Sequence, residues 1–281
     1  MEQANTSLKK TNEIPITGAQ SGFSLLELSV VFVVIGLLTG GVMAGSSLLD
    51  AAKIRRIIDD VQKYKQAIAQ FKEKYEEYPG DMTRATEVWG IAGGTGNDST
   101  CYLTDSTTLA DPKRTCNGNG DGQMDVPIPG APGLWTLSWY AAERPRAWQH
   151  LSNAELIPGR FSGIWNFDLQ DGNRPVSVDG TKYVVGALSN QVNAAHDNFF
   201  AETETFNMMQ ASLTSQYPSG TMYKIDLKMD DGKPGSGNVF GPKGSSTWQP
   251  GCTTTDSRVT SRYNTTASGG EPCNAQYYKV P

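Results

Sequence analysis

Between Leu28 and Leu49 the chain carries no Asp, Glu, Lys or Arg. About 20 predominantly apolar residues are enough for a helix to cross a bilayer, and this run has 22. It is too long for the apolar core of a secretory signal, and no A-x-A-like cleavage site follows it, which speaks against an ordinary cleaved signal. Histidine is almost missing. His150 and His196 are the only two, and no serine or cysteine nucleophile pattern lies beside either. With no assembled nucleophile, metal or acid–base constellation, no enzyme activity is expected. A basic excess is also lacking. The chain has 24 Lys and Arg against 29 Asp and Glu, a formal net charge of -5. That argues against a general nucleic-acid binder, which needs a cationic surface to displace counterions.

Cysteine is sparse but even in number: Cys101, Cys116, Cys252 and Cys273, all beyond the apolar run. The spacings fit neither a zinc ribbon nor a C-x-x-C redox site. Four cysteines in this position indicate two disulfides and an oxidising compartment. Three pairings are open. The local ones, Cys101–Cys116 and Cys252–Cys273, are preferred because each closes a loop of loose composition.

What the chain does have is concentrated at its start. Gly22-Phe23-Ser24-Leu25-Leu26-Glu27 precedes the apolar run, and Glu27 is the lone acid at its edge. A carboxylate there costs energy unless it reaches the interface or finds a partner. A cut between Gly22 and Phe23 would create a free amine one helical turn from Glu27. At these residues the sequence resembles the prepilin cleavage and methylation segment of type IV pilins and of the pseudopilins of type II secretion and DNA-uptake systems. The match covers roughly residues 21–38. The resemblance implies that a prepilin peptidase cuts after Gly22 and methylates the Phe23 amine. It implies that Glu27 pairs with the amine of a neighbouring subunit and sets axial register. It also places the precursor in a bacterial inner membrane, with its head outside the cytoplasm. The expected partners are other pilin-like subunits, the peptidase and the inner-membrane assembly platform. The family's mid-helix proline has no counterpart between Leu37 and Leu49. One cue points the other way. Lys9 and Lys10 precede the run, but Lys53, Arg55, Arg56, Lys63 and Lys65 follow it, and the positive-inside bias would put that side in the cytoplasm. The specific motif and the cysteines outweigh a statistical bias.

Three regions follow: a polar leader at 1–22, a hydrophobic transmembrane or filament-core helix at 23–49, and a head at 50–281 that includes the second half of the helix. Gly36, Gly40, Gly41 and Gly45 form two small-xxx-small pairs, which allow close helix approach; alternatively they merely soften the helix. Ile54, Ile58, Val61, Tyr64, Ile68, Phe71, Tyr75 and Tyr78 recur at three- and four-residue steps. That period predicts one helix from Phe23 to about Tyr78 with a core-facing stripe, stopped by Pro79-Gly80. Pro79-Gly80-Asp81-Met82 with Trp89-Gly90 resembles a pattern found in a subset of pilin-like proteins.

Within a loop-rich stretch, Asn117, Asn119, Asp121, Gln123 and Asp125 alternate, with Gly122 after the third. This resembles the first nine positions of an EF-hand-type loop, although Asn117 replaces the first Asp and Ile128 replaces the closing Glu. Two readings stand: a weak extracellular calcium site completed by another segment, or an Asn/Gly/Asp turn cluster without an ion. Asp230 and Asp231 read as a solvated turn, with calcium as the alternative.

Trp135, Leu137, Trp139 and Tyr140 are expected to be buried, and residues 147–157 to be helical up to Pro158-Gly159. Residues 161–169 and 182–188 read as strands. A short helix is expected over Phe206–Leu213, and a half-buried strand over Tyr223–Met229 from its period of two, although Met222, Ile225 and Met229 also fit a helix face. Residues 241–281 are rich in Gly, Pro, Ser and Thr and poor in aliphatics, so they bury little area against their ordering cost, which a Cys252–Cys273 bridge offsets in part; the resemblance implies a disulfide-bounded loop on the filament surface, with simple stapling as the alternative. The fold class is α+β, pilin-like: a long N-terminal helix packed on a small antiparallel sheet, with a loop-rich, disulfide-stapled head. The function expected is a filament subunit of a type IV pilus-like or type II secretion system. The alternative is a membrane-anchored calcium-dependent binding or adhesion domain that never polymerises.

Overall fold

The computed structural model describes residues 22–97, 101, 111, 113–124, 143–163, 173–177, 180, 182–188, 206–242, 251–255, 257, 259–265 and 272–281. The leader before Gly22, Asp125, Ile128, Trp135, Leu137, Trp139, Tyr140, residues 164–169 and His196 lie outside them. The chain divides into two compact units, Met1–Asp50 and Ala51–Pro281.

Helix α1 spans Leu25–Tyr75. Its start is encoded in Ser24 and Glu27. The Ser24 hydroxyl accepts the Glu27 N–H at 3.2 Å, and the Glu27 carboxylate accepts the Ser24 N–H at 2.9 Å. This reciprocal capping box satisfies two of the donors that a helix start leaves open. In the first unit every large apolar side chain from Leu25 to Leu49 is exposed, Phe32 at 64 % and Val42 at 71 %.

In the second unit α1 presents Ile54, Ile57, Val61, Tyr64, Ala67, Ile68 and Phe71 to the core. The expected stripe holds, except that Ile57 is fully buried while Ile58 is only partly so. The helix stops three residues before the expected Tyr78. Glu76 takes a left-handed φ of 65°, and its N–H still bonds the Lys72 carbonyl. A left-handed residue just past the last turn ends a helix by reversing the chain.

Helix α2 is the short Ala85–Trp89, and α3 is Glu143–Asn153. Pro145 sits in the first turn of α3, where its missing N–H costs nothing. Glu155, at φ 61°, closes the far end, with the Leu156 N–H on the Leu151 carbonyl. Trp148 of α3 meets Tyr64 of α1 edge-on at 5.2 Å, and Tyr64 meets Tyr183 at 5.1 Å.

The sheet contains β1 (Lys182–Leu188), β2 (Phe206–Pro218), β3 (Val239–Phe240) and β4 (Pro272–Lys279). Its order is β1-β2-β4-β3 and all pairs are antiparallel. The β1 strand matches its expected range. Three expectations are corrected. Phe206–Leu213 is strand, not helix: β2 pairs with β1 on one side and β4 on the other, and ladder partners override local helix propensity. Tyr223–Met229 is helix, not strand. Helix α4, Ser219–Met229, buries Met222, Ile225 and Asp226 and leaves Tyr223 and Leu227 exposed. The alternation of Lys and Asp mimicked a period of two, whereas burial follows steps of three and four. The C-terminal stretch is not a surface loop throughout, because β4 lies inside the sheet with Tyr277 and Tyr278 buried. Residues 161–163 carry no regular structure.

Both local disulfides are present, Cys101–Cys116 and Cys252–Cys273, and all four cysteines are fully buried.

Candidate functional site

Three places hold the residues on which the sequence reading rests. The first is the start of α1. Gly22 and Phe23 precede the helix as exposed residues without regular structure. Ser24 holds Glu27 twice, through its N–H and through its hydroxyl, each at 2.9 Å. The lone acid of the apolar segment therefore has an internal partner within its own turn. The sequence signal for this was the spacing Ser24-x-x-Glu27, a capping-box pattern.

The second place is a polar knot that sequence reasoning missed. Asp81 is 1 % exposed. Its carboxylate accepts the Gly120 N–H at 2.6 Å and the Gly122 N–H at 2.9 Å. Its own carbonyl accepts from Gly120, and the Met82 carbonyl accepts from Gly118 at 2.8 Å. From α3, Glu143 accepts the Asn119 N–H at 3.0 Å and Arg146 donates to the Asn117 carbonyl at 2.5 Å. Burial pushes the Asp81 carboxyl up to about 6, against the opposing pull of the N–H groups on it.

Farther along α3, His150 is completely buried. Its Nδ1 accepts the Gly80 N–H at 2.9 Å. A backbone nitrogen can only donate, so Nε2 carries the ring proton and gives it to Thr115 Oγ1 at 3.0 Å. The Thr115 hydroxyl then donates to Gln149 Oε1 at 2.7 Å, and Gln149 Nε2 donates to the Arg114 carbonyl at 2.9 Å. One backbone N–H thus sets the direction of the whole chain of bonds. Trp89 and Phe71 pack on the imidazole at 5.3 and 6.2 Å. Of the Pro79-Gly80-Asp81-Met82…Trp89 pattern, Gly80, Asp81, Met82 and Trp89 each make one of these contacts. Gly80 abuts the Glu143 carbonyl, where a Cβ would lie 2.4 Å away.

Burial pushes the His150 imidazole down to about 3, with nearby Arg146 adding to the effect. A histidine lowered in the folded state favours folding above its unfolded value of about 6.5 and loses that contribution as pH falls. Asp81 and Asp226 are raised, so they act in the opposite sense and favour folding as pH falls. The histidine share is isolated by comparison with His150→Asn. The stability gap between the parent and that variant is expected to shrink by about 1.4 kcal/mol per pH unit between about 6.5 and 4. Urea unfolding across that range checks it; a gap that stays constant with pH would show that His150 is not held neutral.

The proposed calcium oxygens lie in this same loop. Asn117 Oδ1 accepts the Thr86 N–H at 2.8 Å. Asn119 Oδ1 accepts the Asp121 N–H at 2.8 Å, and Asp121 Oδ1 accepts the Gln123 N–H at 2.9 Å. The last two are Asx-turns, and with the Asn117 bond backbone N–H groups engage three of the five residues. Gln123 is partly buried.

The third place is the turn after α4. Carboxylate oxygens of Asp226, Asp230 and Asp231 lie within 4.8 Å of one another. Asp226 is buried and accepts the Tyr263 hydroxyl at 2.9 Å and the Gly232 N–H at 3.0 Å. Gln276 donates to the Tyr263 hydroxyl and Tyr278 donates to Gln276, which ties the turn to β4. Burial pushes the Asp226 carboxyl up to about 7. Asp230 accepts the Asn238 and Val239 N–H groups. Asp231 accepts the Lys233 N–H and the Ser236 hydroxyl. Backbone and hydroxyl donors of the protein thus reach all three carboxylates.

No family model, curated protein or solved structure matches the chain.

Proposed function

We propose that the chain is a pilin-like filament subunit, cleaved after Gly22, methylated at the Phe23 amine, and drawn from a bacterial inner membrane into a helical fibre. One observation carries the reading. The helix from Leu25 to Leu49 exposes every large apolar side chain and bears a single carboxylate, Glu27, at its start. Removing each such side chain from water is worth about 1.5–3 kcal/mol, so the segment needs a lipid or protein surround. The helix is long and apolar enough to cross a membrane, and packed copies of itself supply the same apolar surround in a fibre. The Gly22-Phe23 junction selects a processed segment over a permanent anchor. The two buried disulfides suit a head outside the cytoplasm.

In this mechanism Ser24 holds Glu27 while the subunit is single. On assembly the carboxylate exchanges that partner for the Phe23 amine of a neighbour, a charge–charge pair that strengthens as water withdraws. The deciding experiment is mass spectrometry of a sheared cell-surface fraction. A chain beginning with methylated Phe23 is expected. An intact Met1 start retained in the membrane would overturn the reading in favour of an anchored, non-polymerising domain.

A further inference from the structure

The knot loop contains one dipeptide twice, Asn117–Gly118 and Asn119–Gly120. Before glycine an asparagine carboxamide is unusually open to attack by the following backbone nitrogen, because no side chain hinders ring closure. The two copies sit in opposite surroundings. Gly118 is buried and its N–H is on the Met82 carbonyl, with the Asp81 backbone filling the space where a Cβ would be. Asn117 is pinned by the Thr86 N–H and by Arg146 on its carbonyl. Asn119 and Gly120, by contrast, are exposed. The Gly120 nitrogen is withheld only by Asp81, through its carboxylate at 2.6 Å and its carbonyl at 3.2 Å. The Asn119 carboxamide turns back along its own chain onto Asp121, its Oδ1 accepting the Asp121 N–H at 2.8 Å and its Nδ2 donating to the Asp121 carboxylate at 3.4 Å.

We propose that Asn119 is a site of spontaneous deamidation, gated by the hold of Asp81 on the Gly120 N–H. When the latch opens, the Gly120 nitrogen loses its proton to solvent and bonds to Asn119 Cγ. The Cγ–Nδ2 bond breaks and ammonia leaves with a proton from water. Water then opens the five-membered imide at either carbonyl, leaving aspartate or isoaspartate. Either product puts a new carboxylate beside Asp81, Asp121 and Glu143, and like charges at that range repel. The isoaspartate route also adds a methylene to the backbone between the Glu143 and Asp81 clamps. Both changes oppose reclosure, so the modification loosens the loop in one direction only.

The test is to age the oxidised full chain in detergent at neutral pH and follow both asparagines by fragment-ion mass spectrometry. A free peptide of residues 115–124 supplies the unlatched rate. Three results are expected. Asn119 in the folded chain reacts at least about tenfold more slowly than in the peptide, the factor that a charge-assisted hydrogen bond makes in an opening equilibrium. Asn117 is slower still. Asp81→Asn speeds Asn119 roughly tenfold without moving Asn117. Equal rates at Asn117 and Asn119 in the unaltered chain, or a folded Asn119 as fast as the peptide, overturn the proposal without any variant. Should Asp81→Asn simply unfold, both asparagines accelerate together, and the comparison within the unaltered chain decides.

Discussion

Gly118→Ala is expected to cost the head about 3 kcal/mol or more, the upper end for overpacking in a filled interior. A Cβ there would lie 2.2 Å from the Asp81 carbonyl carbon and 2.3 Å from its Cα. These are backbone atoms and cannot rotate away. Moving them pulls Asp81 off Gly120 and Gly122 and drags Gly80 from the His150 ring, so the strain spreads through bonds that are buried and cannot turn to water. Against a total stability of about 5–15 kcal/mol, such a loss lowers the urea midpoint markedly. Gly122→Ala is the control. Space around Gly122 is open, but its φ is +84°, so the cost is the left-handed backbone alone, about 1–2 kcal/mol. Fluorescence of buried Trp148 reports unfolding of the core. If Gly118→Ala loses no more than Gly122→Ala, the loop is not seated against Asp81 as described.

Glu27→Gln is expected to reduce filament yield by at least about tenfold, the equivalent of 1.4 kcal/mol in an assembly equilibrium, while leaving cleavage after Gly22 intact. The substitution separates two roles of one side chain. Glutamine at this position still serves a capping box with Ser24, so the helix start survives. What disappears is the negative charge, and with it the pairing to a neighbour's amine. Glu27→Ala removes both and is expected to be at least as damaging. Ser24→Ala removes the cap alone, worth about 1 kcal/mol, and should weaken the helix start while permitting fibres. Normal yield from Glu27→Gln would mean that the carboxylate acts only as a cap, and the register mechanism fails.

The polar knot shows why part of the molecule was hard to read. Glu143, Arg146 and His150 recur at steps of three and four along α3, as a solvent-facing stripe does. They are buried because residues 115–122 lie across them, and nothing local announces that cover. The alternating oxygens of 117–123 fitted either a cation site or an Asn/Gly/Asp turn cluster; three of these residues accept backbone N–H groups, two of them in Asx-turns and Asn117 from distant Thr86. The sequence distinguishes those cases only through the closing ligand, and here Ile128 stands in its place.

Features set by short-range chemistry were therefore determined by the sequence alone. The apolar run, the capping box at Ser24 and Glu27 and the amphipathic stripe from Ile54 to Phe71 each depend on residues within a few turns of one another. Tertiary structure decided the rest. β2 became a strand because β1 and β4 bond its two edges, and the C-terminal stretch entered the sheet because β2 and β3 lay on either side of it. A strand's hydrogen bonds are made to distant chain, whereas a helix makes its own. Burial of polar α3 residues likewise needed a covering loop from elsewhere, so its stability and its sensitivity to pH exist only once the chain has folded.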